Sequence, residues 1–182
     1  MKQTPTAAQT AAPTVPADGG APGSAWTEID SPIGPLRLVA RDEALRAIEF
    51  SPWPDPGPEV GERDDDLPVL RRTTEQLAAY FAGELRTFDL PLDPGGTEFQ
   101  RRVWAELSRI DYGATTSYGE VARRLGMTGH GSRAVGLANG RNPIPVVVPC
   151  HRVVGADGSL TGYAGGLERK QLLLALERPG LF

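Results

Sequence analysis

The chain has 182 residues, of which 40% are hydrophobic and 23% charged, so it can bury the core of one domain or of two small ones. No apolar run approaches the ~18 residues that a membrane-spanning helix needs, which excludes a transmembrane protein. Because the amino terminus also lacks the apolar stretch of a secretory signal, the sequence favours a cytoplasmic location.

Charge and cysteine content narrow the class of protein further. The single cysteine, Cys150, forbids an intrachain disulfide, and with only two histidines in the chain a zinc site is disfavoured. The net charge of −4 hides an asymmetry, since residues 1–96 carry 8 basic and 16 acidic side chains and residues 97–182 carry 11 basic and 7 acidic ones. Nearly all of the later cations are arginines, which suit phosphate contacts. The carboxyl half is therefore the candidate for binding a partner, unless these arginines only form a solvated surface.

The first third of the chain predicts a tail followed by a small sheet. Residues 1–25 are mostly Ala, Thr, Pro and Gly, a composition that predicts a disordered tail. Three apolar stretches, at residues 26–30, 36–40 and 45–50, are separated by turn residues and predict an antiparallel meander. Residues 51–68 hold five prolines and six acidic side chains, so we expect an exposed connection without a strand.

A helix is predicted next, over residues 70–81, where apolar side chains recur at helical spacing before Gly83. The sheet and this helix make up the predicted amino-terminal domain, residues 26–94. Prolines and glycines between positions 91 and 96 mark its end.

The carboxyl-terminal domain, residues 95–182, is predicted to be mainly helical. Apolar residues at four-residue spacing from Phe99 predict one helix. Ser117 is placed to begin a second helix, with Glu120 completing a capping box and Gly126 ending the helix.

A third helix, over residues 132–138, follows at helix-turn-helix spacing. Many such helix pairs bind nothing, so this spacing alone leaves DNA binding open. The helix is rich in small side chains, which suit close approach either to a neighbouring helix or to a partner. Arg133 has no evident role in a core. The small residues are Gly131, Ser132, Ala134, Gly136, Ala138 and Gly140.

The segment 142–153 carries the most information about function. Three valines at 146–148 predict a buried strand, and Pro149 favours an extended end, so Cys150 would emerge at a rigid strand end. A lone cysteine is usually a small buried hydrophobe, but here a histidine and an arginine follow it directly and could activate the thiol. Because neighbouring strand residues point to opposite faces, His151 would reach the sulfur through a water or after a local bend.

At these motifs the chain resembles the O6-alkylguanine-DNA alkyltransferases, particularly the bacterial forms. The resemblance is specific over residues 97–182 and looser over 26–92. It implies an α+β fold, in which a small ribonuclease H-like sheet-and-helix domain precedes a mainly helical domain with a helix-turn-helix. The matching motifs are Pro149-Cys150-His151-Arg152-Val153, Asn142-Pro143 before it and Gly162-Tyr163-Ala164-Gly165-Gly166-Leu167 after it.

The resemblance implies a DNA repair protein that transfers an alkyl group from O6 of guanine in double-stranded DNA to its own cysteine, once and without a cofactor. Some members bind a structural zinc in the amino-terminal domain, but the cysteines and histidines that it requires are absent from this sequence, so no metal is expected. Cys150 matches the acceptor, His151 the residue that takes the thiol proton through a water, and Glu177 the carboxylate that orients this histidine. Asn142 matches the asparagine that braces the turn, and Tyr118 matches the tyrosine that donates toward the purine N3. Tyr118 could instead be a core aromatic that caps a helix.

The resemblance also implies base flipping and contact with the minor groove. Arg133 matches the arginine that fills the gap left by the flipped base, and the small neighbours Ser132, Ala134 and Gly136 let the helix approach the groove.

Four further residues match the alkylguanine pocket. Tyr163 matches its aromatic wall, although a core aromatic beside a turn is the plain alternative. The Ala164 backbone matches the donor near O6, the Val153 carbonyl matches an acceptor for the exocyclic amine, and Lys170 matches a lysine near the pocket.

Two other functions compete with alkyl transfer. One is a DNA-binding module that recognises alkylated bases without reacting, and the other is a Cys-His-Glu hydrolase that turns over repeatedly. Only alkyl transfer predicts one covalent methyl group on Cys150. We expect a monomer that binds DNA and no membrane. Cooperative binding along DNA, activity on O4-alkylthymine, the size of alkyl group accepted and the role of the tail stay open.

Overall fold

The computed structural model describes residues 23–53, 60–129 and 131–178. Every helix within these ranges is too short or too polar to cross a bilayer. Most of the predicted tail, residues 1–25, lies outside the described residues, and the first strand begins at Ser24, before the predicted limit of the tail. The described strands are β1 Ser24–Ile29, β2 Leu36–Arg41, β3 Ala44–Phe50, β4 Glu62–Arg63, β5 Thr116–Ser117 and β6 Val153–Val154, and the helices are α1 Pro68–Phe81, α2 Glu98–Leu107, α3 Tyr118–Arg124, α4 Gly131–Gly140 and α5 Leu167–Glu177.

The amino-terminal sheet has the strand order β3-β2-β1-β4. Strands β1, β2 and β3 are antiparallel neighbours, so the predicted meander is confirmed. The central strand β2 is almost completely buried, and it pairs along its full length with β1 on one side and β3 on the other. The expectation of no strand in residues 51–68 is wrong at one point, since β4 pairs in parallel with β1. This two-residue strand lies at the sheet edge, where proline-rich flanks are tolerated.

Helix α1 covers the sheet, as predicted from its apolar spacing. Pro68 occupies its first turn, where a missing N–H costs nothing. Leu70, Leu77 and Tyr80 are fully buried on one side of the helix. Gly83 follows the helix with a φ of 77°, a left-handed conformation that glycine adopts without strain. Tyr80 lies near the carboxyl end of α1, and its hydroxyl reaches Glu177 in the second half of the chain.

Helices α2, α3 and α4 pack together in the carboxyl-terminal part. The Ser117 hydroxyl caps α3 by accepting from the Glu120 N–H at 3.1 Å, as predicted. The predicted capping box is incomplete, because the Glu120 carboxylate instead accepts hydrogen bonds from Arg123 and Arg124. Two strong cation partners on the next turn outcompete the neutral backbone N–H of Ser117.

The predicted strand at residues 146–148 is wrong. These residues form turns, and the Val148 N–H donates to the Ile144 carbonyl oxygen at 2.9 Å. Prolines at 143, 145 and 149 remove the donors that a strand ladder needs, so the β-branched valines are buried without pairing. Cys150 consequently lies at the start of a 3₁₀ turn, Cys150–Arg152, rather than at a strand end.

The two halves share one hydrophobic core. Backbone contacts also join them, since the N–H of Ile48 on the edge strand β3 donates to the Pro143 carbonyl oxygen at 2.9 Å. The Arg169 guanidinium on α5 donates to the carbonyl oxygens of Ile33 at 2.7 Å and Ser51 at 2.9 Å. The turn that carries Cys150 is thus supported by the edge of the amino-terminal sheet.

Candidate active site

The turn before Cys150 is closed by one asparagine side chain. Asn142 donates from Nδ2 to the Val148 carbonyl oxygen at 2.8 Å and accepts at Oδ1 from the Ile144 N–H at 3.1 Å. Within this turn the buried Val146 has a φ of 73°, a conformation that β-branched residues rarely adopt. The asparagine side chain replaces the backbone pairing that the prolines prevent, and so it fixes the position of Cys150.

Cys150 is buried, and its thiol is free. Burial raises the pKa of the thiol to about 11, against the opposing effects of a hydrogen bond with Asn142 and the charge of Lys170. A thiol in this state is a weak nucleophile. The group that takes its proton therefore decides whether Cys150 can react.

His151 follows Cys150 in the 3₁₀ turn and is completely buried. Its Nε2 lies 2.8 Å from Oε1 of Glu177 on α5, which fixes Nε2 as the protonated nitrogen when the ring is neutral. Nδ1 is buried and has no hydrogen-bond partner among the described residues. Burial lowers the pKa of His151, while the hydrogen bond to Glu177 opposes that shift. The neutral ring thus offers one unoccupied acceptor, Nδ1.

The carboxylate of Glu177 accepts hydrogen bonds from other residues besides His151. Arg152 donates to both of its oxygens, at 2.9 Å from Nε and 2.8 Å from Nη2, and the Gly113 N–H donates to Oε2 at 3.1 Å. Tyr80 donates to Oε1 at 2.6 Å. Burial alone would raise the pKa of Glu177, but the hydrogen bonds from His151 and Arg152 outweigh it and hold this pKa well below its usual range.

Sequence reasoning missed two of these side-chain partners. Arg152 was expected to help activate the thiol, but its hydrogen bonds to Glu177 were not predicted, and Tyr80 was not singled out. The adjacency of Arg152 to His151 was a signal that could have been used, since an arginine there suits a buried carboxylate. No local signal marks Tyr80, because it is 97 positions from Glu177 in the chain.

The predicted pocket residues lie around the loop that precedes α5. Tyr163 stacks obliquely on Phe50, with ring centroids 5.7 Å apart, and its buried hydroxyl has no partner within the described ranges. Ala164 beside it is exposed. Lys170 is completely buried and donates to the carbonyl oxygens of Val153 at 2.6 Å and Thr161 at 2.8 Å. The Val153 carbonyl, predicted as an acceptor for the substrate, thus already has one donor.

Tyr118 begins α3 and reaches the same loop. Its hydroxyl donates to the Thr161 carbonyl oxygen at 3.2 Å and lies 3.5 Å from that of Gly162. The Thr161 carbonyl oxygen therefore accepts hydrogen bonds from both Tyr118 and Lys170. Burial raises the pKa of Tyr118, so this hydroxyl stays protonated and can donate.

Helix α4 presents the residues predicted to contact DNA. Ser132 and Arg133 are exposed, whereas Ala134 and Gly136 are half-buried. A Cβ at Gly136 would lie 3.8 Å from the Tyr118 ring, so this glycine faces α3. One turn beyond Arg133, Leu137 is 61% exposed. Sequence reasoning missed this leucine.

The arginines of the carboxyl half have different roles. Arg152 and Arg169 bond to groups inside the protein, and Arg124 pairs with glutamates. Within the part of the chain that the structure describes, Arg133 and Arg141 have no side-chain hydrogen bond or ion pair. Arg133 lies near the start of α4 and Arg141 just after its end, so this helix carries an unpaired positive charge at each end.

Comparison with protein families matches nearly the whole described chain. The ribonuclease-like domain of 6-O-methylguanine DNA methyltransferase matches residues 25–94, and the DNA-binding domain of the same family matches residues 98–179. The chain belongs to the 6-O-methylguanine DNA methyltransferase family. Relatives in this family include a methylated-DNA–protein-cysteine methyltransferase of Mycolicibacterium paratuberculosis, 55% identical over 84% of this chain and 92% of the relative. Another, from Methanosarcina acetivorans, is 49% identical over 81% and 94% of the two chains.

Solved structures of 6-O-methylguanine DNA methyltransferases have the same fold. The crystal structure of Mycobacterium tuberculosis O6-methylguanine methyltransferase superposes with a TM-score of 0.77 at 49% identity, covering 85% of this chain and 93% of that one. The structure of Mycobacterium tuberculosis OGT in complex with DNA gives a TM-score of 0.74 at 48% identity, over 85% and 92%. The predicted family, fold class and reaction type, methyl transfer from DNA to a cysteine of the protein, are confirmed, and DNA is confirmed as the partner.

Proposed function

We propose that Cys150 is the alkyl acceptor of this methyltransferase and that its substrate is O6-alkylguanine in double-stranded DNA. In this reaction the Cys150 sulfur forms a bond to the alkyl carbon while the bond between that carbon and O6 breaks. The thiol proton passes through a water to Nδ1 of His151, and the departing guanine gains a proton. The observation that carries the proposal is the unpartnered Nδ1 of a histidine that follows the only cysteine of the sequence and is fixed by Glu177.

The arrangement of His151 and Glu177 supports proton removal in particular. The carboxylate holds Nε2 protonated, so Nδ1 has the free lone pair, and the carboxylate stabilises the imidazolium that forms. A buried nitrogen acceptor without a hydrogen-bond partner raises the free energy of the folded protein. This cost favours a water that bridges the nitrogen and a proton donor. Asn142 keeps the turn in place and so holds the thiol in register with this acceptor.

Tyr118 and the Val153 carbonyl contact the base, and Lys170 positions that carbonyl. Tyr118 donates to the purine N3 once its hydroxyl exchanges the Thr161 carbonyl oxygen for the substrate, and this makes guanine a better leaving group. The Val153 carbonyl accepts from the exocyclic amine with its second lone pair while Lys170 occupies the first. Both contacts recognise a purine without reading the neighbouring sequence.

Tyr163 and Ala164 complete the pocket. The Tyr163 ring forms one wall, on which the extruded base stacks. The Ala164 N–H has no hydrogen-bond partner within the described residues, and it donates to O6 of the substrate. Because the loop lies beside Tyr118 and Lys170, these contacts converge on one base.

Helix α4 is the proposed contact with the minor groove. The target oxygen lies inside the base stack, so the nucleotide is flipped into the pocket, at a cost of a few kcal/mol. Arg133 enters the gap, and Ser132, Ala134 and Gly136 let the helix approach. Arg141 at the far end of α4 contacts phosphate, since it too lacks a partner in the described protein.

The proposal extends to stoichiometry, assembly and location. A thioether at Cys150 is stable, so each molecule reacts once. We propose that the protein acts as a monomer, with cooperative binding along DNA to be judged from the slope of the binding isotherm. We also propose the cytoplasmic location that the sequence favours.

The experiment is mass spectrometry of the Cys150 peptide after incubation with a duplex that contains one O6-methylguanine. We expect a gain of one methyl group on that peptide, complete at one equivalent of DNA. Cys150→Ser is the matched control, because it changes only the sulfur, and the unmethylated duplex is the control for the lesion. A parallel duplex with O4-methylthymine measures the range of substrates.

The alternative functions give different results in the same experiment. Product that keeps forming beyond one equivalent would identify a hydrolase. Binding to the methylated duplex without any mass gain would identify a recognition module. Either result contradicts the proposed role of Cys150.

A further inference from the structure

A tyrosine from the amino-terminal half reaches the proposed catalytic carboxylate. Tyr80, at the end of α1, is completely buried, and its hydroxyl donates to Oε1 of Glu177 at 2.6 Å. The other side chains that donate hydrogen bonds to this carboxylate, His151 and Arg152, come from the carboxyl-terminal half. Tyr80 is thus a direct link from the first half of the chain to the proposed proton acceptor.

The donors around Glu177 compete for one oxygen. Tyr80, His151 and Arg152 all lie within 2.8 Å of Oε1, whereas a carboxylate oxygen has about two lone pairs to offer. Each additional donor draws negative charge toward itself. The attraction that Glu177 exerts on the proton of His151 is therefore weaker with the Tyr80 hydroxyl present than without it.

We propose that Tyr80 is a positioning residue, which fixes the Glu177 carboxylate and limits how strongly that carboxylate holds the proton of His151. The inference rests on the proposed function, in which His151 takes the Cys150 proton. Too strong a carboxylate would keep the imidazole protonated at moderately low pH and leave it unable to accept. A donor from α1 prevents this and also makes the proposed reaction depend on correct docking of the amino-terminal half.

Other charged and titratable groups face the same pair and must be held constant. Arg152 donates to Glu177 from the 3₁₀ turn, and Lys170 on α5 acts on His151 through its charge. Tyr112, Tyr163 and Cys150 also interact with this cluster. The Tyr80→Phe substitution leaves the side chains of all these residues chemically unchanged.

Tyr80→Phe is the test, and Tyr112→Phe is its matched control. Phenylalanine keeps the ring of Tyr80, which packs against Phe81 and Phe88 with centroids 5.4 Å away in each case. Tyr112 lies against the same ring at 6.0 Å, but its own hydroxyl donates to the Leu176 carbonyl oxygen at 3.4 Å and not to Glu177. The two variants therefore remove the same chemical group from neighbouring positions.

The measurement is the single-turnover rate constant of methyl transfer between about pH 4 and pH 8, with the reactive fraction counted by mass. On the acidic side of the profile the rate constant falls as His151 becomes protonated. In Tyr80→Phe we expect this fall to occur at a pH higher by roughly half a unit, which corresponds to a threefold change in the proton affinity of His151. The plateau rate falls by up to about fivefold, because one donor no longer fixes the carboxylate. In Tyr112→Phe the profile is unchanged. An NMR titration of the His151 ring nitrogens measures the same shift directly.

An acidic limb that stays in place in Tyr80→Phe, or that moves equally in Tyr112→Phe, overturns the inference. A smaller reactive fraction with an unchanged profile also overturns it, since that result describes a purely structural tyrosine. If the parent protein itself gains no methyl group, the proposed function fails instead, so the two failures are distinguishable.

Discussion

Replacement of Glu177 by glutamine removes the negative charge at the centre of the buried network while keeping the size of the side chain. In the parent, the Glu177 side chain has no exposed area and the side chain of its partner Arg152 is 7% exposed. Glutamine has one acceptor oxygen and a donor NH2 group, so it cannot satisfy Tyr80, His151, Arg152 and the Gly113 N–H together. The guanidinium of Arg152 is then left buried without a counter-charge.

The expected cost follows from that burial. Breaking a buried ion pair by removing one partner destabilises a protein by about 3–5 kcal/mol. For a chain of this size, each kcal/mol lowers the midpoint of thermal unfolding by about 2–4 °C, so we expect Glu177→Gln to unfold roughly 10 °C below the parent. Glu120→Gln is the matched control, because Glu120 also pairs with two arginines, but Arg123 is 74% exposed. Its midpoint should hardly change, since exposed pairs contribute little.

The pH dependence of this difference has a definite sign. The pKa of Glu177 is lowered in the folded protein, so its carboxylate stabilises the fold above the unfolded pKa of about 4.3, and this contribution is lost as the pH falls below that value. Differential scanning calorimetry should therefore show the full gap between parent and Glu177→Gln near neutral pH and a narrower one below about pH 4. Equal midpoints for Glu177→Gln and Glu120→Gln at pH 7 would refute the reasoning.

The remaining predictions concern DNA contact, the turn and the pocket. Arg133→Ala should slow transfer from duplex DNA by about tenfold or more while sparing reaction with the free methylated base, and Arg71→Ala, an exposed arginine on α1, should do neither; equal losses on both substrates contradict the proposed insertion. Asn142→Ala should lower the unfolding free energy by about 2 kcal/mol in urea titrations, since two hydrogen bonds are lost, and a loss no larger than that of Asn139→Ala contradicts the bracing role. Tyr163→Phe should raise the thermal midpoint by about 2–4 °C, because it removes a buried hydroxyl without a partner, and a lower midpoint shows that the hydroxyl is satisfied.

Local patterns were sufficient for much of the fold. The meander of β1 to β3 and the helix α1 were predicted because alternating or helical apolar spacing was interrupted by turn residues. The spacing of α3 and α4 was predicted in the same way. The predicted domain limits, 26–94 and 95–182, and the residue roles stay predictions.

The errors arose where tertiary contacts override local preference. Three valines in a row favour a strand, but residues 146–148 are held as a turn by the Asn142 side chain, and prolines prevent pairing. Strand β4 was missed because two residues carry no pattern of their own, and the strand exists only through its pairing with β1.

By itself, the sequence was enough to predict which residues would carry the chemistry, since a lone cysteine followed by histidine and arginine is a local arrangement of reactive groups. Only the tertiary structure decided how those groups are tuned. Glu177 lies 26 positions from His151, and Tyr80 lies 97 positions from Glu177. No periodicity connects positions so far apart. Burial in a shared core brings them within hydrogen-bond distance, and the strength of such contacts depends on exclusion of water that the folded chain alone provides.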